Sequence, residues 1–279
     1  MTAPFRLIHL SDLHFHQIPR RWDQWLSRRF FGAANMQLRR ARRFPLSRVQ
    51  ALVRELANMD WDFLVITGDL TQLGLEEEFD LAWKNLAPLL ERGMNKIAMV
   101  PGNHDRYVWP EQGQDWFMNY FGGFFTTQEI LTRPLRGRWY LAGWDSTRPT
   151  PVFRPQGHIR PQTLAATSQW LATLPPKSKL VVANHYPLLF PGHYQPRPNH
   201  ELVNISEALD WVGKNPVQAY LHGHVHRSWV VYQGVPKGVI THVNSGASAI
   251  TPTFGNFPAY HILDMDDDDL TVTPKVLGE

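Results

Sequence analysis

The chain predicts an α/β fold in which two sheets pack face to face with helices on the outside. Three observations carry that expectation. Short runs rich in Leu, Ile and Val are continuously apolar, as strands covered on both faces must be. Segments of helical periodicity alternate with them early in the chain, and the C-terminal half is rich in strands.

In chain order, the first strand is expected at 5–11, followed by a basic, aromatic insert at about 17–45. A helix should run from a Ser47 cap to about Met59, with Val49, Leu52, Val53 and Leu56 on one face. The run 63–67 is the second strand. A helix over 76–92 has acids in its first turn, where the positive end of the helix dipole favours them. It carries Phe79, Trp83, Leu86, Leu89 and Leu90 at helical spacing and has Gly93 as its stop. Strands then follow at 96–100, 139–144, 179–184, 217–221, 240–243, 259–265 and 270–276, with helices at 162–174 and 206–213 between them. The acidic run from Asp264 to Asp269 lacks the spacing of a calcium loop and reads as the solvated turn of a final hairpin.

The 279 residues suit one domain spanning 1–279, with no repeat or low-complexity linker. The chain has no cysteine, which excludes disulfides and thiolate metal sites, so any metal must bind through nitrogen and oxygen. The N-terminus lacks the shape of a signal peptide and no segment is apolar enough to span a bilayer, which predicts a cytoplasmic protein.

Five short motifs each follow an apolar run. They are Asp12-Leu13-His14, Gly68-Asp69, Gly102-Asn103-His104-Asp105, Asn184-His185 and Gly223-His224-Val225-His226. Singly, each is an ordinary turn or surface loop. Jointly, they place imidazole, carboxylate and amide groups at the C-terminal ends of successive strands, where open α/β proteins build their sites. Strand alternation would send Asp12 and His14 to one side, and likewise His224 and His226. Glycines beside the motifs give clearance. Seven such side chains suffice for two divalent cations, and His104 is left for proton chemistry. The combination points to metal-assisted hydrolysis at phosphorus.

These motifs resemble those of the calcineurin-like metallophosphoesterases over about residues 5–247. The resemblance implies a four-layer αββα sandwich and a two-metal centre. Asp12, His14 and His226 would bind one ion, Asn103, His185 and His224 the other, and Asp69 would bridge them. It favours two Mn2+ ions, with Fe/Mn or Zn also compatible with the donors. A hydroxide held between the ions would attack phosphorus in line. His104 would protonate the leaving oxygen, and Asp105 would orient the His104 ring, unless Asp105 serves only as a turn cap. His16 and His193 leave metal-bearing strands and are candidates for substrate contact. Arg106 is a candidate phosphate ligand, and Asn244 and Ser245 are weaker candidates for lining the site.

Between residues 20 and 43 lie eight arginines, Arg20, Arg21, Arg28, Arg29, Arg39, Arg40, Arg42 and Arg43, interleaved with Trp22, Trp25, Leu26, Phe30 and Phe31. Such a segment can lie in an anionic membrane interface, pack its aromatic stripe on the protein's own body, or bind nucleic-acid phosphates. The density of arginines favours the membrane. The insert leaves directly from His14, so an apolar, cationic rim would adjoin the metals. This is similar to the bacterial subgroup that includes enzymes cleaving UDP-2,3-diacylglucosamine, and the run from Arg28 to Asn35 supports that subgroup. Cyclic-nucleotide (cAMP) phosphodiesterases share the core motifs and are the alternative. Nucleic acid is not an expected substrate, since no extended basic surface occurs elsewhere. A protein-binding scaffold of the same fold is the non-enzyme alternative, and the intact ligand set argues against it.

Overall fold

The structure is a computed structural model describing residues 3–18, 41–106, 114–147, 155–197, 200–267 and 269–278. Of the insert expected at about 17–45, residues 19–40 with the aromatic stripe lie outside the described residues.

Two mixed sheets form the body. The first has strand order β11-β10-β1-β2-β3 and the second β4-β5-β6-β7-β9-β8. In the first, β1 (Phe5–Leu10), β2 (Phe63–Thr67) and β3 (Ile97–Val100) run parallel. On the other side of β1 lie antiparallel β10 (Ala259–Met265) and β11 (Leu270–Val276). In the second sheet β5 (Trp139–Trp144), β6 (Lys179–Ala183), β7 (Val217–His222) and β9 (Gly238–Ser245) are parallel. Its two edges, β4 (Ile130–Pro134) and β8 (Ser228–Val235), are antiparallel.

The two-residue period of the strands divides the core. Leu141, Val181, Ala183, Ala219, Leu221 and Val243 pack with Leu7, Val65 and Leu263 of the first sheet. Their neighbours Ala142, Trp144, Leu180, Val182, Tyr220 and Ile240 face outward, against Leu164 of α4 (Pro161–Leu171) and Ala208 and Val212 of α5 (Ile205–Lys214). The first sheet is covered by α1 (Leu46–Ala57) and α2 (Glu76–Leu90). The buried face of α1 is the predicted one, and each of its four apolar residues contributes about 1.5–3 kcal/mol on burial.

Several expectations are corrected. Helix α1 starts at Leu46 with extended Pro45 before it, so Ser47 lies inside the helix and caps nothing. Helix α2 ends at Leu90, before Gly93. The strand predicted at 96–100 begins at Ile97, because Met94–Lys96 forms a 3-10 turn. Two strands, β4 and β8, and the short helix α3 (Trp116–Phe121) were not expected. Both missed strands are half-exposed sheet edges. Strand β4 is short, carries Thr132 and Arg133 and ends on a proline, as edges tolerate, whereas β8 holds the apolar run Trp229 to Tyr232 and was missed despite it. Of the acidic run expected as a turn from Asp264 to Asp269, Asp264 lies in β10, and Asp266, Asp267 and Asp269 are exposed between β10 and β11.

Candidate metal centre

The C-terminal ends of β1, β2, β3, β6 and β7 lie at one rim of the sandwich, and the five motifs occupy the loops that leave them. The first two loops run side by side as irregular extensions of the β1–β2 pair. Asp12 N–H donates to Gly68 O at 3.0 Å and His14 N–H to Asp69 O at 3.0 Å.

The backbone here differs from the strand alternation that the sequence suggested. Strand β1 ends at Leu10, and Asp12, His14, Asp69, His224 and His226 all take positive φ, between 52° and 73°. Among the described residues only one other non-glycine, Lys177, does so. Each such residue costs about 1–3 kcal/mol, and such strain persists where the surroundings over-determine it, typically at functional sites. Left-handed turns, not a pleat, make paired side chains converge.

Asp12, His14, Asp69 and His226 bring one nitrogen or oxygen each to within 4.8 Å of one another. His14 Nε2 and His226 Nε2 face each other at 2.9 Å, and His226 Nε2 is 3.2 Å from Asp12 Oδ1. A second set converges beside it. His224 Nδ1 lies 2.9 Å from Asn103 Oδ1 and 3.3 Å from His185 Nε2, which is itself 3.2 Å from Asn103 Oδ1. Asp69 stands between the sets, with Oδ2 3.7 Å from His14 Nε2 and Oδ1 3.5 Å from His185 Nε2.

The donor set fits cations. Asp12 Oδ1 is buried with no hydrogen-bond partner, an arrangement that is costly unless a cation is its counterpart. The opposite faces of the rings are anchored on carbonyls. His14 Nδ1 donates to Thr71 O (3.2 Å), His185 Nδ1 to Thr67 O (2.7 Å) and His224 Nε2 to His200 O (2.9 Å). Each anchor fixes the tautomer so that a lone pair points into the cluster, the usual outer-sphere support of a metal-ligating histidine. Asp12 Oδ2 is held by Ser11 Oγ (2.6 Å) and by the His224 N–H (3.0 Å). Burial favours the neutral form of Asp69, but His185, His104 and His14 outweigh it and hold the carboxyl well below its usual range. Burial likewise disfavours protonation of His185, yet Asp69 beside it raises this group to about 9. As a ligand His185 would give up that proton, so cation uptake would release it.

Glycine is required where loops touch. A Cβ on Gly223 would overlap Ser11 Oγ and Asp12 Oδ2, and one on Gly102 would overlap the Asp69 carboxylate. Gly223→Ala is therefore expected to weaken manganese binding about 10- to 100-fold, measured by metal titration. Unchanged affinity would show that the Asp12 loop yields without consequence.

The other expected site residues divide. His104 lies against the cluster, its ring 5.1 Å from that of His14, its N–H on Asp69 Oδ1 (2.8 Å) and its Nδ1 on Gln72 O (2.7 Å). Asp105 was expected to orient that ring. Its oxygens are instead spent on Thr71 N–H (2.8 Å), Thr71 Oγ1 (3.0 Å) and Gly102 N–H (2.8 Å), so it caps the turn while Gln72 holds the imidazole. Burial, then Asp69, pushes the Asp105 carboxyl up to about 7. Arg106 is not available as a phosphate ligand, because Asp145 (2.5 Å) and Asp115 (3.0 Å) both clamp its guanidinium. His16 is half-buried and lines a cavity beside His14. His193 is exposed, while His200, which the sequence gave no reason to single out, supports His224 and lies 5.6 Å from its ring. Asn244 does not present a free group to the cluster. It braces the Gly223 turn through Gly223 O (3.0 Å). Ser245 ties the sheets together through His9 O (2.7 Å).

Two mixed sheets with helices outside, carrying paired nitrogen and oxygen donor sets at one rim, define a metal-dependent phosphoester hydrolase. The model of the calcineurin-like phosphoesterases matches residues 5–228, and the chain belongs to that family. None of the curated proteins matches it. Among solved structures it is similar to a dimetal phosphatase from Danio rerio, with TM-score 0.70, 14% identity, and coverage of 100% of this chain and 98% of the other. It is also similar to a purple acid phosphatase from yellow lupin (Lupinus luteus) seeds, with TM-score 0.59, 15% identity, and coverage of 100% of this chain and 52% of that one. Phosphopantetheinyl hydrolase from Mycobacterium tuberculosis aligns at TM-score 0.51 and 15% identity over 88% of this chain and 90% of its own. At these identities the likeness is one of fold. Among the described residues, no helix is long and apolar enough to cross a membrane.

Proposed function

We propose that this phosphoesterase uses two divalent ions, most simply Mn2+, to cleave a phosphodiester or pyrophosphate bond in a lipid-linked nucleotide such as UDP-2,3-diacylglucosamine at a membrane surface. Asp12, His14 and His226 would hold one ion, Asn103, His185 and His224 the other, with Asp69 between them. The ions, when bound, supply an acidified water and neutralise charge growing on the phosphoryl oxygens. The chain's own part is to aim and to carry a proton. With Nδ1 of His104 donating to Gln72 O, the ring exchanges its proton through Nε2, suited to the leaving oxygen.

The observation that carries the lipid reading is a cavity of about 170 Å³ that adjoins His14, lined by Phe15, Phe44, Leu46, Val49 and Leu81 with His16 and Gln17. The Phe44 ring packs at a tilt against His14, with centroids 4.5 Å apart, and edge-to-face against His226 at 5.4 Å, so an apolar wall meets the donor set directly. In sequence this wall is the root of the arginine-rich insert. The insert is read here as contacting anionic membrane through Arg20 to Arg43, on the inner face of the membrane. A soluble cAMP phosphodiesterase is the competing reading, and it would leave the apolar wall unexplained.

The test is a kinetic panel with Mn2+ that compares UDP-2,3-diacylglucosamine in anionic mixed micelles, cAMP and bis-p-nitrophenyl phosphate. The lipid substrate should have the highest kcat/KM. Changing Arg20, Arg21, Arg28 and Arg29 to Glu should lower only that activity and abolish sedimentation with anionic vesicles. A preference for cAMP, with no sedimentation of the native protein, would overturn the lipid reading.

A further inference from the structure

Glu78 is fully buried in the first turn of α2, and its hydrogen bonds come from backbone N–H groups. Oε1 accepts from Gln17 (3.3 Å), and Oε2 accepts from Gln72 (3.2 Å), Leu73 (2.7 Å) and Leu75 (3.3 Å). Burial pushes this carboxyl up and the four amides pull the other way, which leaves it at about 8. A helix that needed only negative charge at its N-terminus has Glu76 and Glu77 there, both with access to solvent. Of the four amides only Leu75 belongs to the helix cap. The others lie in the two loops that carry candidate ligands, Gln17 three residues past His14, and Gln72 and Leu73 past Asp69. The peptide joining Gln72 to Leu73 is then used on both sides, because its N–H, that of Leu73, is held by Glu78 at 2.7 Å and its C=O, that of Gln72, holds His104 Nδ1 at 2.7 Å.

We propose that Glu78 is a positioning residue for the hydrolytic step. It pins the Gln72–Leu73 peptide through the Leu73 N–H so that the Gln72 carbonyl holds the His104 imidazole at its working orientation. The inference rests on the reading of His104 as the proton-carrying group. It extends that reading to a residue whose hydrogen bonds come from backbone amides of the helix cap and of the loops that carry the ligand candidates.

The test is a double-mutant cycle on the manganese-loaded enzyme. Glu78→Gln replaces an acceptor oxygen with a donating amide and strands at least one backbone N–H. On a phenyl phosphodiester, whose leaving group needs a proton, kcat should fall about 10- to 100-fold with KM and bound manganese unchanged. The loss should be smaller on the p-nitrophenyl ester, and Glu78→Asp should recover part of it. In a His104→Ala background, Glu78→Gln should lower kcat no further. An additive loss in that background, an equal loss on both esters, or an unchanged kcat in the single variant would overturn the proposal. His104→Ala with normal turnover would remove the reading beneath it, a separate and recognisable failure. If Glu78→Gln does not fold, Glu78→Asp passes through the same cycle with the same outcomes.

Discussion

Asp69→Asn is expected to lower phosphodiester turnover by roughly 1,000-fold or more and to strip the protein of at least one of two bound manganese ions. The reason is position. One carboxylate faces both donor sets, 3.7 Å from His14 Nε2 and 3.5 Å from His185 Nε2. Asparagine keeps the volume and can keep an oxygen on the His104 N–H, which Asp69 Oδ1 now accepts at 2.8 Å. It loses the negative charge that lets two dications sit side by side. Charge stabilisation by such ions is worth several kcal/mol, and each 1.4 kcal/mol is about tenfold in rate. Metal analysis beside steady-state kinetics reads both effects. Full occupancy and normal turnover in the variant would show that Asp69 bridges nothing.

His104→Ala should reduce turnover about 100- to 10,000-fold while metal content stays at the wild-type level. The two effects separate because the hydrogen bond of this residue to the donor set runs through its backbone, while its ring packs edge-on against His14. The His104 N–H, not the ring, holds Asp69 Oδ1, and alanine retains it. What disappears is the imidazole anchored on Gln72 O. Kinetics and metal analysis of one preparation decide it. An active variant would take His104 out of the mechanism, and an inactive variant with lost metal would make the ring structural.

Much of this site was legible because its residue types are rare in combination and follow strands that announce themselves. The runs ending at Leu10, Thr67, Val100, Ala183 and His222 are buried and apolar, so the rim they share could be placed from sequence. The backbone of the rim could not. Asp12, His14, Asp69, His224 and His226 adopt left-handed conformations, which Asp and His tolerate better than most residues but which no sequence pattern announces, and tertiary contacts impose them. The supporting residues were hidden for a related reason. Glu78, Gln72 and Asn244 act on or through backbone groups of other loops, and a peptide N–H or C=O carries no sequence label. Arg106 looked like a phosphate ligand because Asp115 and Asp145, which clamp it, lie 9 and 39 residues further along the chain. The edge strand β4 escaped because its apolar run stops after Ile130 and Leu131, whereas β8 carries the run Trp229 to Tyr232 and was legible by the same signal as the interior strands.

The most direct test is anomalous diffraction from a crystal of the protein soaked in manganese. Two peaks about 3.5–4 Å apart are expected, one among Asp12, His14 and His226, the other among Asn103, His185 and His224, with the Asp69 carboxylate between them. A single peak, or manganese bound only away from these seven side chains, would contradict the account.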